Sequence, residues 1–94
     1  MANAAPKKSL GQHFLNDRNI LRSIADAANV GPHDVVIEVG PGRGSLTQVL
    51  AERAKRVVAL ELDDSLAVSL RKTMPPNVEV LHQDARGVSP AELI

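Results

Sequence analysis

Three carboxylates and three glycines carry the clearest capacity for chemistry in this sequence. Gly40, Gly42 and Gly44 fall within five positions of the stretch VIEVGPGRGSLT, Val36 to Thr47. Glycine lets a backbone turn tightly and lets a ligand come against it. Exposed amides at the start of a following helix favour an anionic group. The spacing is G-x-G-x-G, not the G-x-G-x-x-G of dinucleotide sites, and the Gly-Lys-Ser/Thr of a Walker loop is absent. Glu38 stands two residues before Gly40, where a carboxylate suits a ligand with an ammonium group better than a pyrophosphate. S-adenosyl-L-methionine fits that requirement, having an amino group, a carboxylate and a sulfonium and no phosphate. Glu61 lies 21 positions after Gly40 and can accept hydrogen bonds from both hydroxyls of a ribose, a feature that NAD sites share. Asp84 can accept from an adenine amino group. Each acid also has a plainer reading: Glu38 satisfied by local amides, Glu61 in solvent, Asp84 as a turn residue. The three together beside one glycine loop point to a ligand site.

The acids need elements that bring them to one edge. DVVIEV (Asp34 to Val39), RVVALEL (Arg56 to Leu62) and NVEVLHQD (Asn77 to Asp84) are β-branched apolar runs that read as strands, the first two buried on both faces as in a parallel sheet. Between them, Leu46, Val49 and Leu50 read as a helix with Ser45 at its N-cap. Leu66 and Leu70 read as a second helix, capped by Asp63 or Asp64 and ended by Met74-Pro75-Pro76. An earlier helix carries Ile20, Leu21, Ile24, Ala27 and Ala28 at helical spacing, with Asn16 or Asp17 as cap and Asn29 to Pro32 as stop. The order helix, then β-α-β-α-β, is half of a doubly wound α/β sheet. In such a sheet ligands sit beyond the carboxyl ends of the strands, which is where the three acids fall.

Composition narrows the partners. The chain has 94 residues, 44% hydrophobic and 23% charged, with zero net charge, no cysteine and a single aromatic residue, Phe14. Without cysteine there are no disulfides or thiolate metal sites, and His13, His33 and His82 lack metal-ligand spacing, so no metal is expected. A neutral chain with one aromatic lacks the basic excess and stacking platforms of a free-standing nucleic-acid binder. Lys7 and Lys8 form a basic pair in the N-terminal arm. Met1 to Pro6 has no apolar signal core, and no segment is long and apolar enough to span a bilayer. A cytoplasmic monomer without membrane contact is the expectation. SPAELI, Ser89 to Ile94, has the pattern of a capping box with proline at the first helical position. A helix with so few residues after its cap is not stable alone, and half a sheet is an incomplete core, so an N-terminal piece of a longer protein is expected. The division expected is an arm and cofactor-contacting segment over residues 1–17, then a partial cofactor-binding domain over residues 18–94.

KKSLGQHFLND, VIEVGPGRGSLT, VVALELD and HQDA together resemble the ribosomal RNA adenine dimethyltransferases, from about Lys7 to Asp84. The glycine loop alone indicates only the methyltransferase superfamily; GQHFL before it is more specific. The resemblance implies the N-terminal half of a Rossmann-like fold, truncated, that binds S-adenosyl-L-methionine. The activity implied for the complete protein is dimethylation of N6 on two adjacent adenosines of small-subunit ribosomal RNA. By position it implies that Gln12, His13 and Leu15 line the cofactor. Gly40 and Gly42 would approach its methionine part, Glu61 would take the ribose hydroxyls and Asp84 the adenine amino group. Many members have Asn at the place of His13; either side chain can hydrogen-bond. The family's Asn-Leu-Pro-Tyr type motif is absent, since the chain has no Tyr. That motif holds the adenine amino group toward the sulfonium and stacks on the base, so no catalytic residue is assigned. Methyl transfer by in-line displacement is governed by such positioning, and the piece alone is expected to be inactive. The rival readings are a large-subunit enzyme of the macrolide-resistance type, a non-catalytic rRNA-binding assembly factor or transcription factor, and an NAD-linked oxidoreductase half-domain.

Overall fold

A computed structural model of the chain describes residues 17–93. The helix α1 (Arg18–Ala27) begins at Asp17, whose carboxylate accepts from the amides of Asn19 (2.9 Å) and Ile20 (3.3 Å). Such a cap satisfies donors that the first helical turn leaves free. Leu21 and Ala25 are its buried residues, with Ile24 partly buried beside them. Ala27 and Ala28, expected on the apolar face, are exposed, because the helix ends there before a further turn can pack. Asn29 ends it in the left-handed region, φ 57°. The Val30 amide reaches the Ala25 carbonyl and the Asn29 amide that of Asp26, the paired bonds of a Schellman close.

Three strands follow, β1 (Val35–Val39), β2 (Arg56–Glu61) and β3 (Val78–His82), parallel in the order β1-β2-β3. The helices α2 (Ser45–Arg53) and α3 (Asp64–Thr73) connect them. All three strands are shorter than their runs, and at β1 and β3 polar residues at the ends take other partners. The Asp34 carboxylate accepts from the Gly31 amide at 2.7 Å. Asn77 donates to the carbonyls of Ala51 (2.8 Å) and Ala54 (3.3 Å), closing the end of α2. Leu62 lies past the end of β2 and is exposed.

In the strand register Val36 pairs with Val57 and Val57 with Val78, and two residues on Ala59 pairs with Val80, so these valines share a face. All three helices pack there. Leu21, Ala25, Val49, Leu50, Ala51 and Ala54 close over Val57, while Ala67 and Leu70 close over Val80. Val35, Ile37, Val39, Val58, Leu60 and Leu81 point the other way. Val58 and Leu60, on the central strand, are buried, but Val39 is 66% exposed. The first strand is therefore half-buried, not buried on both faces as its composition had predicted: among the described residues β1 has a sheet neighbour on one side only.

Gly44, not Ser45, is the N-cap of α2, with φ 89° and no side-chain cap. A Cβ on Gly44 would lie 2.7 Å from Leu70 Cδ2 and 2.8 Å from Met74 Cε, the ends of side chains on α3 and at its C-cap, so both would have to shift for it. Gly44→Ala therefore combines backbone strain with overpacking. We expect a loss of about 1–3 kcal/mol of stability, read as a lower urea midpoint; an unchanged midpoint would mean that the turn relaxes freely.

Candidate cofactor site

The carboxyl ends of the three strands lie along one edge, and a cleft of about 270 Å³ opens there. Its lining includes Gly40 after β1, Glu61 at the end of β2, and Asp84 with Arg86 after β3. The structure thus brings together three of the five site residues predicted within its described part.

Glu61 is 6% exposed, and both of its oxygens accept backbone amides. Oε1 takes the Gly42 N–H at 3.1 Å and Oε2 the Asp63 N–H at 3.0 Å. It is neither a solvated acid nor a free one: it fastens the glycine loop to the loop after β2. A carboxylate has about four acceptor positions. The two amides occupy two of them, and the rest are available to the cleft that Glu61 lines.

Gly40 and Gly42 have φ of 67° and 61°, and a Cβ built on either meets nothing within 4 Å. The loop is shaped by conformations that suit glycine, with open space beside it. Gly44 differs, since side chains fill the space its own would need. Gly42 does not line the cleft; its amide binds Glu61, which does. The Gly40 amide donates to Leu60 O at 2.9 Å, carrying the β1–β2 ladder into the loop.

Glu38 also lies outside the cleft lining. Its Oε1 accepts from the hydroxyl of Thr47, a fully buried residue of α2, at 2.5 Å. Burial pushes the Glu38 carboxyl above its ordinary pKa, and the Thr47 hydrogen bond offsets part of that rise. Sequence reading missed this pair. Its one signal is a threonine two residues into a helix where an apolar side chain would be expected.

Asp84 caps a short 3-10 turn, Ala85–Gly87, through the Arg86 amide at 2.9 Å. The guanidinium of Arg86 holds the same carboxylate in a forked pair, Nε to Oδ1 at 3.1 Å and Nη2 to Oδ2 at 2.6 Å. That side-chain contact, with the amide bond, keeps the Asp84 carboxyl below its usual range. Arg86 was not singled out from the sequence. Gln12, His13 and Leu15 lie outside the described residues. Among the described residues, no group of three or more His, Asp or Glu could hold a metal ion, and no helix is long and apolar enough to cross a membrane.

Residues 3–94 match the family described as ribosomal RNA adenine dimethylase. The chain belongs to that family. It is 59% identical over 80 residues to ribosomal RNA small subunit methyltransferase A of Ligilactobacillus salivarius, covering 83% of this chain and 27% of that one. The protein of the same name from Alkaliphilus metalliredigens is 52% identical over 89 residues, covering 93% and 31%. The crystal structure of the 23S rRNA methyltransferase ErmE superposes with a TM-score of 0.76 at 43% identity, over 82% of this chain and 32% of that one. A dimethyladenosine transferase from Plasmodium falciparum gives 0.70 at 31% identity, over 78% and 28%. The chain therefore spans about a third or less of the length of these relatives. The fold is the N-terminal half of the Rossmann-like methyltransferase fold, with the predicted parallel sheet.

The buried Glu38 sets a pH dependence. The folded chain holds a proton on Glu38 more tightly than the unfolded chain does. The associated stability is fully present below the ordinary glutamate pKa and is lost as pH rises through the raised folded value. Glu38→Gln keeps an oxygen for the Thr47 hydroxyl and cannot ionise. It should flatten that decline, seen in urea midpoints taken from acidic to neutral pH; an unaltered slope would show that Glu38 is not its source.

Proposed function

We propose that this chain is the cofactor-binding part of an S-adenosyl-L-methionine-dependent rRNA adenine N6-dimethyltransferase acting on small-subunit ribosomal RNA in the cytoplasm. The observation that carries the cofactor reading is the cleft-lining Glu61. It is anchored by two amides and retains acceptor positions, beside glycines whose absent side chains leave room for a ligand. This is a fit for a ribose bearing two free hydroxyls. With Asp84 on the same lining, the cleft presents acceptors to a ligand. It suits hydroxyl and amino donors.

In this reading Glu61 holds the ribose and Asp84 the adenine amino group. Gly40 gives the methionine part room to pass, and Gly42 keeps Glu61 oriented. Glu38, outside the cleft lining, braces the loop through Thr47. Gln12, His13 and Leu15 complete the site from the N-terminal segment. The cofactor, when bound, supplies a methyl group activated by its sulfonium. The chain's own residues bind and orient; none is assigned to the transfer step.

The small-subunit target rests on the relatives of that name, 52–59% identical. A large-subunit target is the second reading, favoured by the likeness to ErmE. Methyl incorporation into purified small-subunit or large-subunit rRNA by the protein at its natural length separates the two.

The cofactor reading is tested by amide correlation spectra of the protein at its natural length during titration with S-adenosyl-L-methionine and, separately, NADH. Shifts at Gly40, Gly42, Glu61 and Asp84 with the first ligand alone are expected. A response to NADH alone would sink the assignment. Glu61→Gln loses the charge and one acceptor, and should weaken S-adenosyl-L-methionine binding by about tenfold or more.

A further inference from the structure

Arg86 and Asp84 line the same cleft, and the guanidinium occupies the carboxylate that the ligand reading needs. We propose that Arg86 is an affinity-setting residue of this site: its side chain competes with the ligand's exocyclic amino group for Asp84 and must swing aside for the base to bind. The inference rests on the cofactor reading above and adds to it a residue that the reading leaves out.

The geometry supports exchange rather than a permanent pair. The Arg86 side chain is 88% exposed, so its head can leave Asp84 for water without opening a packed core. The turn does not depend on the guanidinium. The Arg86 amide bonds to Asp84 Oδ1, Gly87 N bonds to Asp84 O at 3.2 Å, and Val88 N bonds to Ala85 O at 3.3 Å. These backbone bonds keep the carboxylate in place when the side chain departs. The forked pair uses both oxygens, and the amide takes a further position on Oδ1. An amino donor therefore meets a carboxylate whose better positions are filled. Glu61 has no such rival among the described residues: its two bonds come from fixed amides. The two acids consequently differ in function. Glu61 is a preorganised acceptor, and Asp84 is an acceptor held behind a counter-ion that the ligand displaces.

The experiment is calorimetric titration of the protein at its natural length with S-adenosyl-L-homocysteine, comparing wild type, Arg86→Ala, Asp84→Asn and the double variant. Exposed ion pairs are weak, so the gain expected from Arg86→Ala is modest, about two- to fivefold tighter binding. It should shrink at high salt, which screens the competing pair in the wild type. Asp84→Asn should weaken binding and abolish the gain from the second change. Unchanged or weaker binding by Arg86→Ala, with Asp84→Asn still weakening, would overturn the competition alone. If Asp84→Asn left affinity intact, the assignment of Asp84 to the ligand would fall as well, and the competition with it.

Discussion

A single carboxylate ties the ligand edge of this sheet together. Glu61 ends the central strand, is almost wholly withdrawn from solvent, and accepts one amide from the glycine loop and one from the loop that follows. A buried carboxylate is costly unless donors replace its water. Here the donors are main-chain amides, which have no side-chain freedom to lose. The bond to Gly42 exists because the loop takes positive φ at Gly40 and Gly42, conformations that a residue with a Cβ adopts only under strain. The glycines aim the amide, the amide holds the acid, and the acid faces the cleft. Removing any one of these links misplaces the other two.

The glycines of the loop are not equivalent. Gly40 and Gly42 leave open space beside the loop, whereas the space beside Gly44 is filled by Leu70 of α3 and by Met74 at its C-cap. One short stretch thus leaves open space at one end and packs against side chains at the other. The Glu38–Thr47 bond joins these tasks, linking β1 to the first turns of α2 on the far side of the same loop. The loop is held from two directions, by Glu61 on one side and by the pair of Glu38 and Thr47 on the other.

Most of the fold was legible because its causes are local. β-branched runs mark all three strands, and Asp17, Asp63 and Met74-Pro75 mark helix ends where the structure has them. The misjudged ends of β1 and β3 share a cause. Asp34, Asn77 and Asp84 sit inside runs that read as strand, yet each uses its side chain for a turn or a cap. Ser45 was read as a cap because serine favours caps, but a glycine with positive φ took the position. The three acids and the glycines were legible as site candidates by type and spacing. Their partners were not: Thr47, Asp63 and Arg86 meet them through tertiary placement or a turn that no periodicity signals.

The selectivity of this edge follows from its acids more than from its glycines. A glycine loop before a helix is suited to phosphate, because it offers free amides and the positive end of a helix. In this chain the Gly42 amide is already taken by Glu61, and the amide of Gly44 bonds to Pro41 O at 3.0 Å. These two loop amides are spent within the protein, and the groups facing the cleft include two carboxylates, one of them paired with Arg86. The loop thereby places hydrogen-bond acceptors, not only amide donors, at this edge. The zero net charge of the chain accords with this division: attraction to a nucleic-acid backbone is not concentrated in these residues.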